Sequence, residues 1–195
     1  MLDYHYLIPS QEQGEEKNLE FAVNCESVED AEDCFVDAKE RLMDINNWHH
    51  YSGIHDLQFS LNDSSGRAMH RHARRHDHIR IAETGDKGHD WVAIEAIEYD
   101  DYPDVDMETF GMRLHPSIDP VHKQSGDVIY SFENNASSTL VIQRRGRKLK
   151  ITYHGRNDSG YLLVEGQESL AWLGLTDLQW ANLISGIAEP GMIKR

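Results

Sequence analysis

Four of the chain's twelve histidines lie in one short segment, all at even-numbered positions. In an extended chain, residues two apart point to the same side, so these imidazoles would share one face. Imidazole suits zinc, copper, iron and nickel, and a pair two residues apart can chelate an ion. The spacing therefore indicates a metal site, and with it a metal-dependent enzyme, built from His70, His72, His76 and His78.

The neighbours of these histidines favour a plainer interpretation. Arg71, Arg74 and Arg75 add positive charge, which disfavours a bound cation. Neither the HExxH pattern nor the spacing of a Cys/His zinc finger occurs. Ile79 and Ile81 follow with the alternation of a half-buried strand, so we expect the histidines on the polar side of an edge strand. The metal-dependent enzyme stays as an alternative.

Two further groups of residues carry chemically useful side chains. Trp48 and His49 follow a predicted helix, and histidine can serve as acid, base or ligand near neutral pH. His154 and Arg156 lie at the end of a predicted strand, where the guanidinium could pair with a carboxylate or a phosphate. The commoner roles are structural: a core tryptophan beside loop histidines, and a surface ion pair.

Motifs for several reaction classes are missing from the sequence. The loop 85–88 has two glycines but no Walker lysine and hydroxyl, and the acidic segment 99–106 lacks the positions of a calcium loop. There is no GxSxG motif. Cys25 and Cys34 have no CxxC spacing, so we interpret them as small buried residues rather than as a disulfide or redox pair. The sequence predicts no cofactor.

The charge and hydropathy of the chain limit its partners. The formal net charge is −15, although residues 67–80 and 141–160 form two short basic segments. Because proteins bind nucleic acid mainly through cationic contacts to phosphate, this charge argues against a nucleic-acid partner. Mean hydropathy is −0.63, apolar stretches are only strand-length, and the N-terminus lacks the regions of a signal peptide. We therefore predict a cytoplasmic protein without a membrane partner.

Alternation and capping signals predict the elements that would position these residues. Residues 19–25 alternate apolar and polar side chains, as a half-buried strand does. Ser27 and Asp30 resemble a capping box, and an apolar stripe at helical spacing follows, which predicts an amphipathic helix. Thr176 and Gln179 form a second capping box before a closing helix. Further strands are predicted at 57–61, 78–83, 91–99, 108–115, 128–133, 138–144 and 148–154, with the last two joined by a hairpin at Arg145–Arg147.

This order of elements predicts the α+β class. We expect a curved antiparallel sheet or open barrel of about seven to eight strands, with an amphipathic helix after the first strand and a short C-terminal helix. The length fits one domain. We assign residues 1–18 to a polar lead-in with the composition of a mobile segment, 19–190 to the α+β domain and 191–195 to a tail.

Stretches spread over most of the chain form a recognisable pattern: 38–42, 48–53, 90–95, 109–113, 138–139, 154–157 and 179–180. On these residues the chain resembles a family of uncharacterised bacterial proteins, a resemblance that implies no activity. The order of strand, helix, antiparallel run and closing helix is also similar to the helix-grip fold of the START and polyketide-cyclase-like superfamily. That likeness implies an apolar ligand held between a curved sheet and the last helix. The chain departs from it by one predicted strand too many and a short closing helix.

The residues and this likeness together predict a non-catalytic binding domain for a small apolar or lipid-like ligand. The ligand would lie in an internal cavity between the sheet and the helices. Besides the metal-dependent enzyme, the remaining alternative is an interaction or structural protein that docks through its acidic helix face and basic segments, including onto copies of itself as a homo-oligomer. The side chains predicted to contact a ligand are Trp48, His49, Trp91, Phe110, Met112, His154, Arg156 and Trp180.

Overall fold

The computed structural model describes residues 4–85, 89–121, 135–158, 161–164, 167–170 and 175–189. The helices are α1 (Val28–Met43), α2 (Trp48–Ser52) and α3 (Asp177–Ala188), and short 3-10 helices span Tyr4–Leu7, Ile45–Asn47 and Pro103–Val105. The strand predicted at 128–133 lies outside the described residues. The strands are β1 (Glu15–Asn24), β2 (Leu57–Asn62), β3 (His78–Glu83), β4 (His89–Tyr102), β5 (Met107–Ser117), β6 (Ser137–Arg145), β7 (Lys148–Asp158), β8 (Tyr161–Val164) and β9 (Gln167–Leu170).

Both predicted capping boxes are present at the helix starts. The Ser27 hydroxyl accepts from the Asp30 N–H at 3.0 Å, and the Asp30 carboxylate accepts from the Ser27 N–H at 3.1 Å. Thr176 and Gln179 exchange the same two bonds before α3. Each box satisfies backbone donors that a helix start leaves unpaired, so the chain enters α1 and α3 at fixed residues.

Seven antiparallel strands form one open, curved sheet in the order β1-β7-β6-β5-β4-β3-β2. Strands β2 to β7 follow one another in the chain and in the sheet, and β1 lies at the edge beside β7. Helices α1 and α2 connect β1 to β2, and α3 follows the strands. This arrangement confirms the predicted α+β class, and its connectivity is helix-grip-like. Strands β8 and β9 form a separate hairpin that was not predicted.

The hydrophobic core lies between one face of the seven-stranded sheet and the helices. Phe35 and Leu42 of α1 are buried against it, on the stripe predicted from the sequence. Trp48 is buried at the start of α2, where its indole N–H donates to the Leu42 carbonyl at 3.1 Å and its ring meets Phe59 edge-on. A large aromatic side chain is thus buried without an unpaired polar atom.

Several strands are longer than their predicted ranges. β1 begins at Glu15 rather than at residue 19, because its ladder with β7 continues through polar residues at the sheet edge, with Lys17 opposite Gly155 and Asn18 opposite His154. β4 and β7 also extend past the predicted ends. Apolar alternation marks only the part of a strand that lies over the core, so the polar ends of strands escape it.

Helices α2 and α3 approach each other most closely at Gly186. A Cβ at this position would overlap the backbone carbonyl of Tyr51 and crowd the backbone nitrogen of Ser52. Since these are backbone atoms, a change of side-chain rotamer would not relieve the overlap. The glycine therefore sets the distance between the two helices. Among the described helices, none is both long and apolar enough to cross a membrane.

We expect Gly186→Ala to destabilise the protein by about 1–3 kcal/mol, the usual cost of overpacking. Without the contact with α2, alanine would stabilise the helix by about 1 kcal/mol relative to glycine. A loss of stability in Gly186→Ala therefore indicates the contact. The measurement is the midpoint of urea unfolding. Ser185→Ala puts the same side chain at the adjacent position and should change stability by less than about 1 kcal/mol. A Gly186→Ala protein as stable as the wild type would contradict the described approach.

Candidate functional site

The face of the sheet opposite the core, here called the outer face, is crossed by an N-terminal arm consisting of residues 6–14. On β5 the even-numbered residues of 110–114 are core residues, so Gly111 and Arg113 point to the outer face. Leu7 is buried against Gly111, where a Cβ would collide with it. The Leu7 carbonyl accepts from Arg113 Nη1 at 3.1 Å and from Thr139 Oγ1 at 3.4 Å. The arm therefore covers the centre of the outer face.

Asn157, in β7, holds the second half of the arm. Its backbone is in the left-handed region (φ 58°), which asparagine adopts more readily than most residues. Its Oδ1 accepts from the N–H groups of Glu12 and Gln13 at 2.7 and 3.2 Å. Its Nδ2 donates to the carbonyls of Ser10 and Asn135 at 3.0 and 3.3 Å. Because Asn157 is only 1% exposed, these bonds are shielded from water.

The arm and the outer face line a pocket of about 470 Å³ that is open to solvent on one side. This volume lies within the range of about 300–1,000 Å³ that is typical of small-molecule sites. The walls come from the arm, from β4 and β5, and from the start of β6 and the end of β7. Its polar side chains include Ser10, Glu12, Glu95, Arg113, His115 and Ser137.

A β-bulge places an ion pair in the pocket wall. Ile94 lies opposite Leu114 and Ala96 opposite Arg113, so Glu95 is an extra residue in β4. Bulges commonly redirect a side chain next to a functional site. Here the Glu95 carboxylate accepts from Arg113 Nε at 2.8 Å and from Nη2 at 3.1 Å. This two-point contact fixes the guanidinium and neutralises its charge.

His115 and Ser137 come together in the pocket wall. The ladder of β5 and β6 ends with Leu114 opposite Ser138, so the next position of the same register brings His115 beside Ser137. His115 Nδ1 lies 2.8 Å from the Pro116 carbonyl oxygen, which can only accept. Nδ1 therefore carries a proton, and Nε2 of the neutral ring is an acceptor. The Ser137 hydroxyl is buried and has no hydrogen-bond partner among the described residues.

Four of the predicted contact residues lie in the hydrophobic core rather than in this pocket. Trp48, Phe110, Met112 and Trp180 are buried in one cluster of core side chains. The Trp180 ring stacks on Tyr153, with ring centroids 4.2 Å apart. The structure brings these four together as packing partners between the sheet and the helices.

Two predicted contact residues form hydrogen bonds on the outer face near the sheet edge. Arg156 donates to the Lys17 carbonyl at 3.2 Å and lies 3.3 Å from the Glu16 carboxylate. His154 Nδ1 lies 2.8 Å from Asn18 Oδ1. Arg156 is also the ladder partner of Ser137, which places it next to the pocket wall. Both side chains connect β7 to the edge strand β1.

The last two predicted contact residues lie in separate places. Trp91 is on the outer side of β4, where its ring meets His89 edge-on. Its indole nitrogen is buried without a partner among the described residues. His49 lies in α2 with its ring centroid 3.9 Å from that of His50. Burial, and then the charge of His50, lower the pKa of His49.

The histidines of the basic segment do not form one face. The residues before β3 are irregular, and His76 has a left-handed backbone (φ 73°), which breaks the alternation. His72 lies 3.3 Å from a Glu40 carboxylate oxygen, whereas His78 is buried in β3 and His70 is exposed. Among the residues that the structure describes, no group of three or more His, Cys, Asp or Glu side chains could hold a metal ion.

The two cysteines are free, half-buried thiols. Burial, followed by the contact with Cys34, raises the pKa of Cys25 to about 11. A thiol with such a pKa is almost entirely protonated near neutral pH, so it is a poor nucleophile.

Sequence analysis missed the residues that line the pocket. One signal was available: Arg113 and His115 occupy the polar positions that alternate with core residues in the predicted strand 108–115. The bulge at Glu95 has no such signal, because an alternating pattern does not show where an extra residue is inserted. The hydrogen bonds of Asn157 join residues far apart in the chain, so spacing does not reveal them.

The chain is thus an α+β protein with helix-grip-like connectivity and a polar pocket on the outer face of its sheet. No family model matches it, and neither does any curated protein. Among solved structures it is similar to truncated norcoclaurine synthase from Thalictrum flavum, with 8% identity, coverage of 96% of this chain and 100% of that chain, and a TM-score of 0.40. A likeness at this level carries no argument about function.

We expect Asn157→Gly to release the arm without disturbing the left-handed backbone of β7. Loss of buried hydrogen bonds costs about 1–3 kcal/mol, so the Glu12 and Gln13 amides should exchange with deuterium about 5- to 100-fold faster. The measurement is hydrogen exchange by NMR. Ser10→Ala is the control, since its backbone carbonyl still accepts from Asn157 Nδ2 and the exchange should not change. Unchanged exchange in Asn157→Gly would show that Asn157 does not hold the arm.

Ionisation of Tyr153 should lower the stability of the protein at alkaline pH. Burial raises its pKa to about 12, whereas an unfolded tyrosine titrates near about 10. Between these values the unfolded chain loses a proton that the folded protein keeps, so stability falls as pH rises. Between pH 9 and about 11.5, the free energy of unfolding of Tyr153→Phe should fall by about 2 kcal/mol less than that of the wild type. The measurement is urea unfolding at each pH. Tyr51 and Tyr99 titrate equally in both proteins, so parallel pH curves would refute the assignment.

Proposed function

We propose that this protein is a non-catalytic binding domain whose site for a small ligand is the pocket between the arm and the outer face. The strands supply Glu95, Arg113, His115 and Ser137. Side chains on paired strands are held more rigidly than side chains on loops, which favours a pre-organised site. The ion pair of Glu95 and Arg113 further fixes two of these side chains.

One observation carries the proposal: the Ser137 hydroxyl is buried in the pocket wall without a partner among the described residues. A buried hydroxyl that has lost water and gained no other partner costs about 1–3 kcal/mol. The oxygen has almost no accessible surface, so a ligand would recover this cost by bonding to it once the Ser137 side chain rotates toward the pocket. His115 Nε2 supplies an acceptor in the same wall. The two groups together fit a polar group of a ligand.

The interior is the site that the helix-grip likeness implies for an apolar or lipid-like ligand. Phe110, Met112 and Trp180 lie there, but each is buried among other core side chains. A ligand between them would have to displace packed groups, and dense packing makes such displacement costly. The pocket on the outer face already has the volume of a ligand site. It is therefore the better supported of the two places.

The proposal is tested by titrating ¹⁵N-labelled protein with three size-matched compounds, propylammonium, acetamide and acetate. Fragments of this size bind in the millimolar range, which NMR detects. We expect saturable amide shifts at His115, Ser137 and Asn157, and none at Trp180. Shifts confined to core residues, or no saturable shift at all, would contradict the proposal.

Substitution of Ser10 provides a matched pair of variants. Ser10 is exposed at the pocket and its side chain makes no described hydrogen bond, so Ser10→Phe should fill the space while Ser10→Ala leaves it open. We expect Ser10→Phe to weaken fragment binding at least about tenfold. Ser10→Ala should bind like the wild type. Equal binding by both variants would place the site elsewhere.

A further inference from the structure

Among the described residues of the pocket wall, one carboxylate has no cation partner. Glu95 and Arg113 neutralise each other through bonds of 2.8 and 3.1 Å. Glu12 is the other carboxylate of the wall, and within the described part of the chain it accepts only a 3.4 Å bond from Asn135 Nδ2. The described part of the wall therefore carries the excess negative charge of Glu12. The net charge of −15 adds a general attraction for cations.

The hydrogen-bonding groups of the wall favour the same kind of ligand. In the neutral ring of His115, Nε2 is an acceptor because Nδ1 donates to the Pro116 carbonyl. The Ser137 hydroxyl has lone pairs that no described residue uses. Arg113 uses three of its five N–H donors, to Glu95 and to the Leu7 carbonyl, and Glu95 neutralises its charge. Besides the two remaining Arg113 donors, the wall therefore offers hydrogen-bond acceptors together with the carboxylate of Glu12.

We infer that the pocket binds a small molecule that carries a primary ammonium group. An ammonium has three donors and no acceptor, so it can bond to these acceptors and pair with Glu12, for which the described residues supply no cation. Glu12 supplies the opposite charge, and His115 Nε2 and the Ser137 hydroxyl supply neutral acceptors. An anion would instead meet Glu12 beside a guanidinium that is already paired. This inference rests on the proposed function and names the ligand class of the same pocket.

The test compares the dissociation constants of propylammonium, acetamide and acetate at constant ionic strength and neutral pH. The three probes have the same number of non-hydrogen atoms but differ in charge. We expect propylammonium to bind at least about fivefold more tightly than either other probe, the effect of roughly one charge-assisted hydrogen bond. NMR shifts at His115 and Ser137 assign the binding to the pocket.

Two variants separate the local charge of the pocket from the overall charge of the protein. Glu12→Gln should abolish the preference for propylammonium over acetamide. Glu83→Gln makes the same change in net charge at the exposed end of β3 and should preserve the preference. Tighter or equal binding of acetate or acetamide would overturn the ammonium inference but keep the pocket as a binding site. Failure of all three probes would overturn the proposed function as well.

Discussion

The structure depends on one constraint, which is that the central strand β5 must bury side chains on both of its faces. Phe110 and Met112 enter the hydrophobic core, and the residues between them point to the other side of the sheet. On that side Gly111 has no side chain, which lets Leu7 lie against the sheet, and Arg113 bonds to the Leu7 carbonyl. A strand with one face in solvent needs to match packing partners on its other face only. Here the helices cover one side and the N-terminal arm covers the other, and the pocket is the space that the arm leaves over β5 and its neighbours.

The sequence predicted well those features that depend on residues close together in the chain. The capping boxes at Ser27 and Thr176, the apolar stripe of α1 and the hairpin around Gly146 all follow from local spacing, and the structure contains each of them. The candidate site depends on interactions of another kind. Asn157 bonds to residues about 145 positions away, and the Glu95 bulge is defined only against a neighbouring strand. Local spacing does not contain this information, so the sequence did not indicate the residues that line this pocket.

The pocket also joins regions that are distant in the chain. Its walls combine Pro9, Ser10 and Glu12 of the arm, the middle strands β4 and β5, and the end of β7. Contacts between distant residues require long loops to close, which is slow and entropically costly. The arm makes its contacts with strands from across the sheet, including Arg113 of β5, Thr139 of β6 and Asn157 of β7. We therefore interpret the pocket as a product of the complete sheet rather than of any single hairpin.

The bulge in β4 allows a residue of the pocket wall to change without a change in the pairing of β4 with β5. Ile94 and Ala96 are each paired with adjacent residues of β5, and Glu95 lies between them without a partner of its own. If Glu95 is left out of the strand, Ile94 and Ile97 still face the core and Ala96 still faces outward. Insertion or deletion of this single residue can therefore add or remove the carboxylate that fixes Arg113. The residues of β4 on either side of Glu95 keep their register with β5. Insertion and deletion, and not only substitution, can therefore change the charge of the pocket wall.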